Sequence, residues 1–546
     1  MASNDQLNIK ANVVDIPNER IYVAELEVEN GLIKNIREAG EVNDAFHYLL
    51  PGFVDSHVHI ESSMLLPGEF ARLAVVHGTV ATVSDPHEIA NVCGIEGVNY
   101  MIDNGKKVPF KFNFGAPSCV PATIFETAGD ELNASDVEAL LQRDEIKYLS
   151  EMMNFPGVLF KDEEVMKKIA AAHKLNKPVD GHAPGLRGAE AEQYISAGIS
   201  TDHECFTAEE ALDKLKYGMK ILIREGSAAK NFEALVHLLH DHSSEMMFCS
   251  DDKHPDSLVE GHINMLCKRA VAKGVNVFKV LCAACINPVL HYKLNVGMLR
   301  VGDPADFILT KDLVDFNIAA TYINGVQVAE NGVSKIVHHN TSVINRFNCT
   351  PKEPADFAVT STNEAVLVIE ALDGQLITNK LSIPAAVLKN GGSVLQSNTT
   401  EDILKIAVIN RYENAVVKTA WIKNFGFKTG AIASSVAHDS HNIIAVGVDD
   451  ESLCKAVNLV INEKGGISCV DNNDSIVLGL PIAGLISNLD GYEVARQYIA
   501  IDKMAKSLGS KLSAPFMTLS FMALLVIPQL KLSDKGLFDG EKFSLL

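Results

Sequence analysis

The sequence predicts an α/β protein: a (β/α)8 TIM-type barrel inserted in a small β-sandwich and followed by a C-terminal α/β domain. Three observations predict it. Between residues 51 and 296, short apolar runs of β type alternate eight times with longer segments of helical periodicity, the pattern of a closed parallel barrel. The flanks, residues 1–50 and 297–349, read as short strands and tight turns that can pair with one another. Thr350-Pro351-Lys352-Glu353-Pro354 then reads as a linker to a third region, so that residues 350–546 form the C-terminal domain.

The first flank holds Ile21–Val28, then Asn30-Gly31, then Leu32–Ile36. Asn-Gly tolerates the two positive φ angles of a tight hairpin, which makes this a strong signal. The eight barrel runs are Gly52–Ile60, Thr79–Ser84, Phe110–Gly115, Lys147–Met153, Pro178–His182, Ile199–His203, Met219–Arg224 and Glu245–Ser250. Glu163–His173 and Ala189–Gly198 are examples of the helices between them. After the barrel, Gly297–Leu309 reads as turns and a strand, and Tyr322–Val328 as a hairpin around Asn324-Gly325. The third region contributes strands at Ala407–Asn410, Ile443–Val448 and Ile476–Leu480, and helices at Asp450–Glu463 and Tyr492–Ser507.

Composition narrows the function. Apolar residues make up 47% of 546 residues, enough for several cores, and the net charge of −21 disfavours a nucleic-acid partner. The ten cysteines show no repeated zinc-ribbon spacing and read as buried, reduced thiols. The N-terminal stretch lacks the apolar core of a signal peptide, and Phe516–Ile527, bounded by prolines, is shorter than the roughly 20 residues that span a bilayer. A cytoplasmic protein without a membrane partner is expected.

The sharpest chemical feature is Asp55-Ser56-His57-Val58-His59, at the end of the first barrel run. Side chains two apart on a strand share a side, so His57 and His59 can hold one metal; the bland alternative is two solvated loop histidines. Glu151, His182, His203 and the pair Asp251-Asp252 stand at the ends of four later runs, on the rim where such barrels carry their chemistry. Four histidines and two carboxylate positions on one rim suit divalent manganese, ferrous iron or zinc. They suffice for two ions if Glu151 bridges them, and such a pair can hold a hydroxide at neutral pH. Asp251 can then be both ligand and proton acceptor. Arg224-Glu225-Gly226-Ser227, at the end of the seventh run, reads equally as a substrate contact or a salt-bridged loop. His438 and His441 read as members of a local turn, or as groups that reach the active site.

The run Pro51–His59 and the segment Gly302-Asp303-Pro304-Ala305-Asp306-Phe307 resemble the amidohydrolase superfamily. Four further strings, Ser84–Asn91, Ser150–Asn154, Gly181–Gly185 and Ser250–Asp256, together with Val436–Asn442, look like the bacterial adenine deaminase family over nearly the whole chain. The resemblance implies hydrolysis of adenine to hypoxanthine and ammonia, in purine salvage, at a binuclear manganese- or iron-type centre. Carried over by position, the ligands are His57, His59, Glu151, His182, His203 and Asp251. Glu151 stands where many relatives carry a carbamylated lysine. Ala183-Pro184-Gly185 follows His182 where adenosine deaminases have a glutamate, so the proton donor to the ring is sought elsewhere, with Glu88 and Asp252 as candidates. The expected partners are adenine and further copies of the chain in a homo-oligomer. Two rival readings are another amidohydrolase reaction, such as opening a cyclic amide, and a catalytically inactive binding protein.

Overall fold

The computed structural model describes residues 6–389 and 394–546. Its barrel strands are Phe53–Val58, Thr79–Ser84, Lys111–Ala116, Ile146–Met152, Val179–Gly181, Thr201–Asp202, Lys220–Arg224 and Met246–Cys249, all parallel to their neighbours. They form a five-stranded and a three-stranded ladder. The seams are closed by a few main-chain hydrogen bonds: Ser200 N–H to Val179 O at 2.8 Å on one side, and Asp251 N–H to His57 O at 2.9 Å with His59 N–H to Asp251 O at 3.3 Å on the other. The first two strands are buried at every residue, as a parallel sheet clad in helices requires. These are the eight places the alternation predicts.

Residues from both flanks of the barrel make one eight-stranded sheet, in the order Val333–Ser334, Val326–Glu330, Ile318–Ile323, Phe307–Thr310, Tyr48–Pro51, Gln6–Asp15, Arg20–Glu29, Leu32–Gly40. Tyr48–Pro51 pairs antiparallel with Phe307–Thr310, joining the two flanks. The sheet folds over on itself: Ile33 N–H donates to Asp303 O and Ala305 N–H to Gly31 O, each near 2.9 Å. Ala24, Leu26, Leu49 and Phe307 are sealed between the two layers. Both hairpin turns have the form expected of their dipeptides, with positive φ at Asn30-Gly31 and at Asn324-Gly325.

The C-terminal region is built on a second eight-stranded sheet. Its strand Ile403–Ile409 is buried throughout, and period-two alternation sends successive side chains to opposite sides of the sheet. Ala407 and Ile409 face the helix Asp450–Asn462, packing on Leu453, Val457 and Val460. Leu404, Ile406 and Val408 join the large core that also contains the barrel strands, so this sheet and the barrel share apolar packing. The antiparallel pair Ala431–Ser434 and Ile443–Gly447 is connected by Ser435–Asn442, which reaches into the barrel mouth. All ten cysteines are unpaired. Among the described residues, no helix is long and apolar enough to cross a membrane.

Candidate active site

A small cavity lies at the C-terminal ends of the barrel strands, roofed by Leu376, His438, Asp439 and Leu524 of the C-terminal region. His59, Glu151, His182, His203 and Asp251 line it. His57 lies just behind, its Nε2 3.1 Å from His59 Nε2.

The strand ends dictate this convergence. His57 and Asp251 meet at the seam between the first and eighth strands, where their main chains are hydrogen-bonded. Asp251 adopts a left-handed φ of 52°, which turns its side chain inward as the strand ends. Its Oδ1 sits 3.2 Å from His59 Nε2 and 3.6 Å from His57 Nε2. Glu151 faces two ways: Oε1 is 3.3 Å from His59 Nε2, while Oε2 is 2.8 Å from His182 Nδ1 and 3.2 Å from His203 Nε2. The His57 and His203 rings stack at 4.1 Å.

This donor set fits cations. The Nδ1 of His59 lies 3.2 Å from the Asp85 carbonyl oxygen, which can only accept, so the ring proton sits on Nδ1. That leaves a lone pair on Nε2, aimed at two carboxylate oxygens and a second imidazole nitrogen. A positive charge must lie among them. Without metal it is a proton: burial opposes it, but Asp251 and Glu151 lift His59 well above the ordinary histidine range. His57, equally buried and beside His203 and His59, is held well below that range. The Asp85 carbonyl is the kind of outer partner that orients a metal-binding histidine.

Two residues that sequence reasoning passed over belong to the same cluster. Glu204 Oε1 lies 3.3 Å from His203 Nε2 and 3.6 Å from His182 Nδ1. His87 Nδ1 lies 3.0 Å from Asp85 Oδ2 and 3.7 Å from Glu151 Oε1, with its Nε2 buried and without a hydrogen-bond partner. Arg224 is fully buried and is not a loop salt bridge. It donates to both oxygens of Glu204, and its Nη1 reaches Asp251 Oδ2 at 2.6 Å. Against the cost of burial, Arg224 and His182 pull Glu204 down to about 2, and Arg224 with His59 holds Asp251 well below the usual carboxylate range.

Glu88 and Asp252 stand at the cavity wall and differ in their neighbours. Asp252 Oδ1 accepts the Ser62 hydroxyl at 2.5 Å, and burial raises its pKa. Glu88 accepts hydrogen bonds from His438 Nδ1 and His441 Nε2, one on each oxygen. Burial would raise its pKa, yet the two histidines hold it well below the ordinary value. Both Glu88 oxygens are thus engaged as acceptors by the two histidines. The turn reading of His438 and His441 needs extension: His441 N–H does close a local turn on Ala437 O at 2.8 Å, but His438 lines the cavity and His441 reaches Glu88 behind it.

The chain is similar to known proteins along nearly its whole length. Residues 48–328 match the amidohydrolase family, and residues 375–544 match the adenine deaminase C-terminal domain. Three proteins, each named adenine deaminase, align over almost their full lengths. The one from Borreliella burgdorferi is 53% identical, covering 99% of each chain. The one from Sulfurovum sp. is 54% identical, also over 99% of each chain. The one from Methanosarcina acetivorans is 51% identical over 98% of each.

Proposed function

The chain belongs to the amidohydrolase family and, along nearly its whole length, to the adenine deaminases within it; on that premise we propose that it hydrolyses free adenine to hypoxanthine and ammonia at a two-metal centre. The observation that carries the site assignment is the division of Glu151, with one oxygen toward His59 and the other toward His182 and His203. His57, His59 and Asp251 would hold one ion, His182 and His203 the other, and Glu151 would bridge them. Two divalent ions, manganese or ferrous iron by donor type and zinc as a third choice, supply an activated water and offset developing charge when bound.

The chain's own groups account for the proton movements. Asp251 accepts a proton from the attacking water and returns it to the amino nitrogen, which leaves as ammonia. Arg224, paired with the second Asp251 oxygen, keeps that carboxylate ionised and fixed in orientation. Leu376 and Leu524 close over a small cavity, which favours a bare base over a nucleoside. Unpaired cysteines fit a reducing, cytoplasmic setting.

Purified protein loaded with manganese should contain two ions per chain and release ammonia from adenine. One ion or none in active protein would overturn the two-metal assignment. Asp251→Asn should retain most of the metal and lose about 10²–10⁴-fold in kcat, the usual contribution of a general acid–base group. Near-normal turnover would move the shuttle elsewhere. Adenosine should be much the poorer substrate in kcat/KM, because a ribose would meet the leucine roof. Comparable efficiency on both compounds would replace the base-specific reading with a nucleoside deaminase. Activity on neither, with intact metals, would favour cyclic-amide hydrolysis.

A further inference from the structure

His438 and His441 come from the Ser435–Asn442 connection of the C-terminal sheet, and Glu88 from the first turn of the barrel helix His87–Gly105, so their contact spans two parts of the fold. Two imidazoles and a carboxylate this close also resemble a metal site. The hydrogen bonds decide against it. His441 Nδ1 accepts the main-chain N–H of Ala437 at 3.2 Å, so the proton of the neutral ring sits on Nε2, where it is donated to Glu88. No lone pair remains on that nitrogen for a cation, and the trio is a hydrogen-bonded clamp.

The clamp fixes one ring in particular. His438 donates from Nδ1 to Glu88 and packs against the Phe521 ring with centroids 5.4 Å apart, while its main-chain N–H faces Ser520 Oγ at 3.4 Å. Its Nε2 is the atom left over: buried, without a hydrogen-bond partner, and at the cavity wall 3.8 Å from Asp252 Oδ1. Resting on the adenine reading above, we propose that His438 is a catalytic residue, donating the Nε2 proton to N1 of the purine, with Glu88 and His441 as its positioning pair.

The step balances. As the water oxygen bonds to C6, the His438 proton passes to N1 and one water proton passes to Asp251. Asp251 delivers that proton to the amino nitrogen, and the C6–N bond breaks with its electron pair leaving on ammonia. The second water proton is released as the C6 carbonyl forms, and restores His438. The ring is charged in the resting site: burial opposes this, but Glu88, Asp252 and Asp439 outweigh it and lift His438 to about 9. Of the other titratable groups around it, His441 and His254 are held neutral by burial, and His87 is raised by Asp85 and Glu88 against its own burial.

The test compares variants of the metal-loaded, full-length protein in adenine turnover. His438→Gln keeps a polar side chain and removes the transferable proton. It should lose about 10²–10⁴-fold in kcat/KM while binding two metals and hypoxanthine within a few-fold of wild type. Activity within tenfold of wild type overturns the proposal. Glu88→Gln keeps His438 but removes its counter-charge. The fall of kcat/KM at alkaline pH should then move at least one pH unit lower, because the imidazolium loses the anion that stabilises it. An unmoved alkaline limb also overturns the proposal, whatever His438→Gln does to folding. A wild-type protein inert toward adenine but active on another substrate refutes the adenine reading instead, so the two failures are distinguishable.

Discussion

Glu151→Gln is expected to reduce bound metal from two ions per chain to one or none, and to lower adenine turnover by about 10³-fold or more. Glu151 is the one carboxylate whose two oxygens face different histidine groups, His59 on one side and His182 with His203 on the other. Glutamine keeps the size and one oxygen but removes the charge, and its NH2 group presents hydrogens to whichever side it faces. One half of the site therefore loses a ligand and the other loses an anion. A metal ion contributes several kcal/mol to transition-state stabilisation, and each 1.4 kcal/mol is a factor of about ten in rate, which sets the expected scale. Metal analysis after loading and dialysis, beside steady-state ammonia release, checks it. Two retained ions with activity within tenfold of wild type would mean that Glu151 is not a shared ligand.

Arg224→Met is expected to cost the metal-free protein about 3–5 kcal/mol, the usual penalty for removing one partner from a buried ionic group. Arg224 is enclosed and its guanidinium serves Glu204 and Asp251 together. Without it two buried carboxylates lie side by side with only histidines to compensate. Bound metal should restore part of the loss, because the ions then neutralise Asp251. Pairing the change with Glu204→Leu should also recover stability, since a buried ion pair exchanged for apolar groups is often tolerated. Denaturant midpoints of the single and double variants, with and without metal, measure these effects. A single variant as stable as wild type without metal would show the ion pair to be dispensable.

The barrel was legible because its eight strands are short runs of β-branched and apolar residues separated by helical periodicity, a local signal. The rim positions were legible because a strand end fixes where its last side chains point, so that five separated segments could be superposed; the choice of Asp251 over Asp252 came from the family resemblance alone. Glu204 escaped that logic: its strand stops at Asp202, and beyond the ladder alternation no longer says which of His203 and Glu204 faces inward. Arg224 was noticed, but nothing local distinguishes an exposed pair from one enclosed by Glu204 and Asp251. Glu88 illustrates the limit best. A carboxyl beside a purine site reads as an acid until the two histidines on it are known, and those come from more than 340 residues further along the chain. Their turn was legible, whereas the packing that carries the turn into the barrel mouth was not.

The pairing of Tyr48–Pro51 with Phe307–Thr310 has a consequence for the order of events during synthesis. The strand that holds Leu49 leaves the ribosome long before its partner Leu309 exists, and the intervening chain is the barrel. At about 5–20 residues per second the open edge of that early strand waits roughly 10–50 s. Throughout that interval Tyr48–Pro51 presents an unsatisfied backbone ladder flanked by Leu49 and Leu50, a template for mispairing with other nascent strands. The ladder of highest sequence separation closes only after the barrel has been made, so slow maturation and a demand for chaperone protection are built into the way the barrel is inserted.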